Sequence, residues 1–285
     1  MNNPKSIPIL VILFNRPDKS AILAKTISIW KPERIYISQD GARNDTEKAI
    51  VKESLMSFIT NLDNSINYEV KSNNANLGCS RSIVEALDWA FTKEERLIIL
   101  EDDCVPSIDF FMFCFEALNF YKNVRKVKYI GGSNLNLSNS NSFKCLNQNH
   151  YWTKYAQIWG WATWKDRWVS RSKQYTRNKL IKAYWWDPIQ LIFWIRNRRN
   201  PLWDVEFGFL NLIESGSYGI IPSKNLIQNT GFDGTGSNYR VESKRNIEYS
   251  KENLVFTPSF KKSKLIDLTI FYKRYFPILF EKFKL

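Results

Sequence analysis

Short apolar runs alternate with stretches of helical spacing over the first hundred residues. Residues 7–14 and 97–100 are apolar with no polar break, which suits strands buried on both faces of a parallel sheet. The first run is followed by Pro17, a good first helical residue, and by Ala21, Ile22, Ala24 and Ile29, which carry a helix to Trp30 before Lys31-Pro32 stops it. A second strand is expected over 34–38, ending at Gln39-Asp40-Gly41. Residues 45–59 read as a helix with Ile50, Val51, Leu55, Phe58 and Ile59 on one face. A third strand at 68–70 and a polar loop at 73–78 precede a helix carrying Ile83, Val84, Leu87, Ala90 and Phe91. The run at 97–100 then ends in Glu101-Asp102-Asp103. Pro106-Ser107 follow as a helix start, with Phe110, Phe113, Cys114, Ala117, Leu118 and Tyr121 at helical spacing. Strand–helix alternation repeated four times predicts an α/β fold, Rossmann-like, with a mostly parallel central sheet and flanking helices.

The second half is patterned differently. A strand is expected at 129–133, and an Asn/Ser-rich loop or hairpin at 134–149. Tyr151-Trp152 and the block from Trp159 to Trp168 come next. Gly160 between two Trp permits close approach of a ligand or a second strand. The block reads either as a binding wall or as plain core. Residues 175–200 are helical in character, Pro201 opens a further helix to about Glu214, and 218–221 is a short strand. Three glycines fall within 231–236, in a mobile loop or an ordinary surface turn.

Length and composition bound these readings. The chain has 285 residues, 44% hydrophobic and 15% aromatic, enough for one large domain with a tail. The net charge of +13 is uneven. Residues 1–169 hold 21 basic and 18 acidic residues, a net of +3, and residues 170–285 hold 20 and 10, a net of +10. A basic second half points to an anionic partner, or to a compositional bias without one. The expected division is a body over 1–257, in halves 1–133 and 134–257, and a basic amphipathic helical tail over 258–285. In that tail Leu265, Leu268, Tyr272 and Phe276 give an apolar face, while Asp267, Arg274 and Glu281 mark a polar stripe. Such a tail either lies on a membrane surface or packs on the body. Cys79, Cys104, Cys114 and Cys145 show no metal-ligand spacing and read as free thiols of a reducing compartment. The first apolar run is read as a core strand and not a signal peptide, because no cleavage site follows it. No run reaches the length of a spanning helix.

The candidate chemistry sits at strand ends. Asn15-Arg16, Gln39-Asp40 and Glu101-Asp102-Asp103 close the first, second and fourth strands, and in open parallel sheets such ends converge on one crevice. Adjacent acids there invite a divalent cation completed by substrate phosphates, or else form a solvated acidic turn. Neither G-x-G-x-x-G nor a Walker A pattern is present.

In order, Ile7-Pro8-Ile9-Leu10-Val11-Ile12, Ser38-Gln39-Asp40, Leu100-Glu101-Asp102-Asp103 with Pro106 and Asp109-Phe110-Phe111, Gly160-Trp161 and Trp203-Asp204 cover roughly residues 7–210. Together they resemble the nucleotide-sugar glycosyltransferases of GT-A fold, of the N-acetylglucosaminyltransferase I type and the bacterial family 2-like enzymes. The resemblance implies a GT-A sheet and an inverting, metal-assisted transfer of a sugar, expected from a UDP-sugar, to a hydroxyl of a glycan or lipid-linked glycan. It makes Glu-Asp-Asp the DxD-type motif. Asp103 would be the ligand of Mn²⁺ or Mg²⁺, Glu101 and Asp102 would face the sugar and ribose, and Asn15, Arg16 and Asp40 would serve the donor base. Asp204 or Glu206 would be the general base, and Gly160, Trp161 and Trp203 would line the acceptor site. The 231–236 loop would close over the donor. Where many such enzymes place a late histidine on the metal, this chain has only His150, ahead of the aromatic block and read as an exposed loop residue; Asn238 stands nearer that place. A cytoplasmic enzyme is implied, peripheral on the inner face of the cell membrane if the tail docks on anionic lipid.

Two other readings compete. A sugar-nucleotide pyrophosphorylase would need a glycine-rich loop after the first strand, where Phe14-Asn15-Arg16-Pro17-Asp18 has none. A non-catalytic glycan- or nucleic-acid-binding module fits the basic, aromatic second half, but gives no reason for three acids at a strand end.

Overall fold

The computed structural model describes residues 3–134, 148–170, 178, 181, 191–192, 216–231, 254–263 and 266–270. The regular elements run β1 (Ile9–Leu13), α1 (Pro17–Trp30), β2 (Arg34–Gln39), α2 (Lys48–Thr60), β3 (Asn67–Ser72), α3 (Cys79–Ala90), β4 (Arg96–Glu101), β5 (Cys104–Pro106) and α4 (Ile108–Phe120). They continue with β6 (Val127–Gly131), β7 (His150–Thr153), β8 (Trp161–Trp164), α5 (Lys165–Val169), β9 (Tyr218–Pro222) and β10 (Ile227–Asn229). Eight strands form one sheet in the order β3-β2-β1-β4-β8-β6-β9-β7, and β5 pairs with β10 apart from it. The fold is α/β with a mostly parallel, mixed sheet flanked by helices.

The apolar runs form strands because both of their faces are covered. Ile98 and Leu100 of β4 face one cluster with Val11, Leu23, Ile27, Phe110 and Phe111. Leu97 and Ile99 face the other, with Leu10, Tyr36, Ile83, Leu87 and Trp161. Pro17 sits at the start of α1, and Lys31 caps its end in the left-handed conformation, with φ 56°. Beyond β4 the helix expected at once is delayed by β5, whose Pro106 pairs with Ile227. Only then does Ser107 lead into α4, an apolar helix whose Phe111 stacks on Trp30 at 5.1 Å.

The expected boundary between residues 133 and 134 runs through one sheet, since β8 lies between β4 and β6. The expected start of a separate tail at 258 likewise falls inside a packed segment. Tyr121 Oη donates to Ser259 O (2.5 Å) and Trp152 Nε1 donates to the same carbonyl (3.2 Å). Residues 266–270 are helical, with Ile266 and Ile270 buried against Tyr151, Tyr155 and Ile221. Asp267, expected on a polar stripe, accepts from Thr153 Oγ1 (2.8 Å) and Lys154 N (2.9 Å). The described parts of this stretch, 258–263 and 266–270, pack on the body. No helix among the described residues is long and apolar enough to cross a membrane.

Candidate functional site

Chain order places the crevice. β1 feeds β2 and β3 on one side, and the chain then returns to lay β4 on the other side of β1, both pairings being parallel. The strand order reverses between β1 and β4, which are paired to their carboxyl ends, and it is outside such ends that open α/β sheets bind ligands. Arg16 leaves β1 there and Glu101-Asp102-Asp103 leave β4.

Arg16 stands at the N-cap of α1 but makes no side-chain cap. Its guanidinium instead reaches across to the acids, Nη1 lying 3.0 Å from Asp102 Oδ1 and 2.8 Å from Asp103 Oδ2. Asp102 is buried, with its N–H donating to Ile12 O at 3.1 Å. Burial pushes its carboxyl up to about 7, with the charge of Asp103 adding and that of Arg16 opposing. Asp103 keeps a fifth of its side chain accessible. Its carbonyl accepts from Thr230 N (2.9 Å) and Thr230 Oγ1 (3.2 Å), and Lys19 Nζ donates to Thr230 O (2.9 Å). The β5–β10 pair thus clamps the turn from behind. Gly231 lies directly against Asp103, where an added Cβ would collide with Oδ2. Cys104 Sγ lies 3.5 Å from Asp103 Oδ1, its thiol pushed well up by burial.

The other predicted donor residues behave differently. Asn15 Nδ2 donates to Glu47 Oε1 at 2.8 Å, and Arg43 binds the same carboxylate, holding it down at about 2. Asp40 is buried and accepts from Gly41 N (2.9 Å), Leu77 N (3.0 Å), Gly78 N (3.2 Å), Asn73 Nδ2 (3.2 Å) and Asn76 Nδ2 (3.0 Å). Its carboxylate is saturated by the 73–78 loop and organises that wall. Beside it, Gln39 donates to Phe14 O (2.6 Å), while its Oε1 is buried without a partner. Glu101 ends β4 half-buried, level with Ile12.

Trp161 does not line a wall. β8 is buried along its whole length, and Trp161 lies in the cluster of Leu10, Leu97 and Trp168. Gly160 adopts φ +60° and is approached by Ile227, so its closeness serves a second strand. His150 is buried on β7 and no exposed loop residue. It meets Tyr121 Oη at 2.6 Å and stacks on Phe256, and burial holds it down at about 4. Trp203, Asp204, Glu206 and all of the 231–236 loop beyond Gly231 lie outside the described residues. Sequence reasoning missed Lys19 and Thr230. A lysine in the first turn of α1 looks like an exposed charge until β10 folds over it.

Among the described residues no group of three or more His, Cys, Asp or Glu could cage a metal ion. A Mg²⁺-type site needs less from the protein, one or two carboxylates with substrate phosphates supplying the rest. Asp103 offers such a carboxylate, and an ion there would share its Oδ2 with the Arg16 guanidinium or displace it. The residues fit such an ion in that mode. No known family model matches the chain, and no curated protein matches it significantly.

Proposed function

We propose that the chain is a nucleotide-sugar glycosyltransferase of GT-A architecture, acting from a UDP-sugar on a glycan or lipid-linked glycan hydroxyl. The observation that carries the reading is the acid turn at the reversal of strand order, with Asp103 backed by Thr230 and faced by Arg16. A sugar diphosphate would bring negative charge to that turn, near the Arg16 guanidinium on the two carboxylates and the buried Lys19 on Thr230 O. Asp103 would hold Mn²⁺ or Mg²⁺ together with the diphosphate, and the ion would neutralise charge on the leaving group. The wall built by Asp40 and the 73–78 loop bounds the side on which the base would lie. Asp204 or Glu206 would take the proton of the acceptor hydroxyl, which attacks opposite the leaving group and inverts the anomeric centre. The acceptor would meet Trp203 rather than Trp161. On this reading any docking on an anionic membrane would fall to basic residues of the 170–285 half.

Calorimetry of UDP with and without Mn²⁺ tests this. Asp103→Ala should abolish metal-dependent UDP binding and leave the fold intact, because that side chain is partly exposed. Unchanged affinity and metal dependence would reduce the turn to an acidic bend. Binding without any UDP-sugar turnover or hydrolysis would favour a non-catalytic glycan-binding module.

A further inference from the structure

Among the described residues β3 is one outer edge of the eight-stranded sheet and is bonded only to β2. Ser72 lies level with Gln39, and Asn73 N donates to Gln39 O at 2.9 Å. The two-residue period of the ladder therefore turns the backbone groups of Glu69 and Lys71 inward to β2. Those of Tyr68, Val70 and Ser72 point outward. Tyr68 is 47% and Val70 36% exposed, so this edge carries apolar side chains as well as open backbone groups.

The sequence Asn67-Tyr-Glu-Val-Lys-Ser72 is complementary to itself when reversed. Antiparallel pairing of two copies about Val70 sets Val70 opposite its twin and Tyr68 opposite Ser72, both at positions whose backbone groups point outward. Glu69 then falls opposite Lys71 twice, at the closely spaced non-bonded positions where side chains meet. Charges behind the edge extend the match. Lys93 binds Glu69, and Lys71 Nζ lies 3.8 Å from Glu85. The order across the junction becomes Lys93, Glu69, the partner's Lys71 and the partner's Glu85, alternating in sign on each side of the two-fold axis.

We propose that β3 is a self-association edge, through which two copies of this chain join their sheets into one continuous sheet about a two-fold axis at Val70. The occupant is a second copy, because both the register and the charge order close on themselves. The contact is small and so gives a concentration-dependent dimer rather than an obligate one.

Sedimentation velocity of the full chain at rising concentration tests this. The wild type should dimerise. Glu69→Lys and Lys71→Glu each set like charges opposite one another twice and should weaken association about tenfold. The double variant restores opposite charges across the junction, though not to Lys93 or Glu85, and should regain dimerisation. Val70→Pro removes an N–H that points away from β2, so it should give a folded monomer by circular dichroism. A wild type monomeric at every concentration, single reversals without effect, or a double variant no better than the singles would each overturn the proposal.

Discussion

Two carboxylates and one guanidinium meet at the carboxyl ends of β1 and β4, and burial weighs on them unequally. Asp102 is pushed up to about 7, so folding favours its protonated form. The unfolded carboxyl ionises near pH 4 while the folded one stays protonated to about 7, so the contribution of Asp102 to stability is lost as pH rises through that window. Asp102→Asn should therefore flatten the pH dependence of unfolding between about 4 and 7, read by urea titration at several pH values. An unchanged slope in the variant would show that Arg16 keeps the carboxylate ionised throughout that range. Gly231 offers a second check. Gly231→Ala drives a methyl into Asp103 Oδ2 and should weaken metal-dependent UDP binding about tenfold, ~1.4 kcal/mol. Gly78→Ala, which meets no neighbour but carries φ +78°, should cost about 1 kcal/mol of stability and little UDP affinity.

At the level of elements, two connections run through buried polar side chains. Asp40 at the end of β2 gathers five donors, four of them from the 73–78 loop. Asp40→Asn presents an amide to donors and removes the charge that they bind. Amide exchange of residues 73–78 should speed up by at least about tenfold, with β2 itself unaffected. Equal protection in the variant would mean that the loop stands on Gly41 and Ala75 packing alone. His150 ties β7 to the strap at 254–263 through Tyr121 and Ser259. Held neutral down to about 4 by burial, it binds no proton in the fold where the unfolded imidazole binds one. Its share of stability is present above about pH 6.5 and lost as pH falls toward 4, opposite in sign to that of Asp102. His150→Gln should remove that acid-side loss, read as a flatter melting temperature from pH 6.5 to 4.

For the whole molecule, the packed strap changes how a membrane role is tested. A chain ending at Thr257 would lose Ser259, Phe260, Asp267 and the buried Ile266 and Ile270, and should melt well below the full chain. A chain ending after Ile270 keeps those contacts. It should fold normally, bind UDP and lose any salt-sensitive sedimentation with anionic liposomes that the full chain shows. Equal liposome binding by the full chain and the 1–270 chain would remove the last fifteen residues from the membrane question.

The unbroken apolar runs at 7–14 and 97–100 were enough to place β1 and β4 and their parallel setting, because a strand covered on both faces has no polar position to spare. The helical spacing from Phe110 to Tyr121 placed α4 in the same way. The acid turn was legible too, as three carboxylates directly after such a run. Sequence could not show what the turn touches, since Arg16 and Thr230 reach it from 86 and 127 residues away, with Lys19 in turn on Thr230, only after the sheet has formed. Nor could it show that Trp161 is core, because an aromatic run looks the same beside a ligand as inside a sheet. That was decided by the cover that Leu10, Leu97 and Trp168 place over its face of β8. The tail pattern was ambiguous for a related reason. Leu268, expected on the apolar face, is exposed, while Ile266 and Ile270, outside that set, are buried on Tyr151, Tyr155 and Ile221, so which side of this segment packs was decided by the surface beneath it.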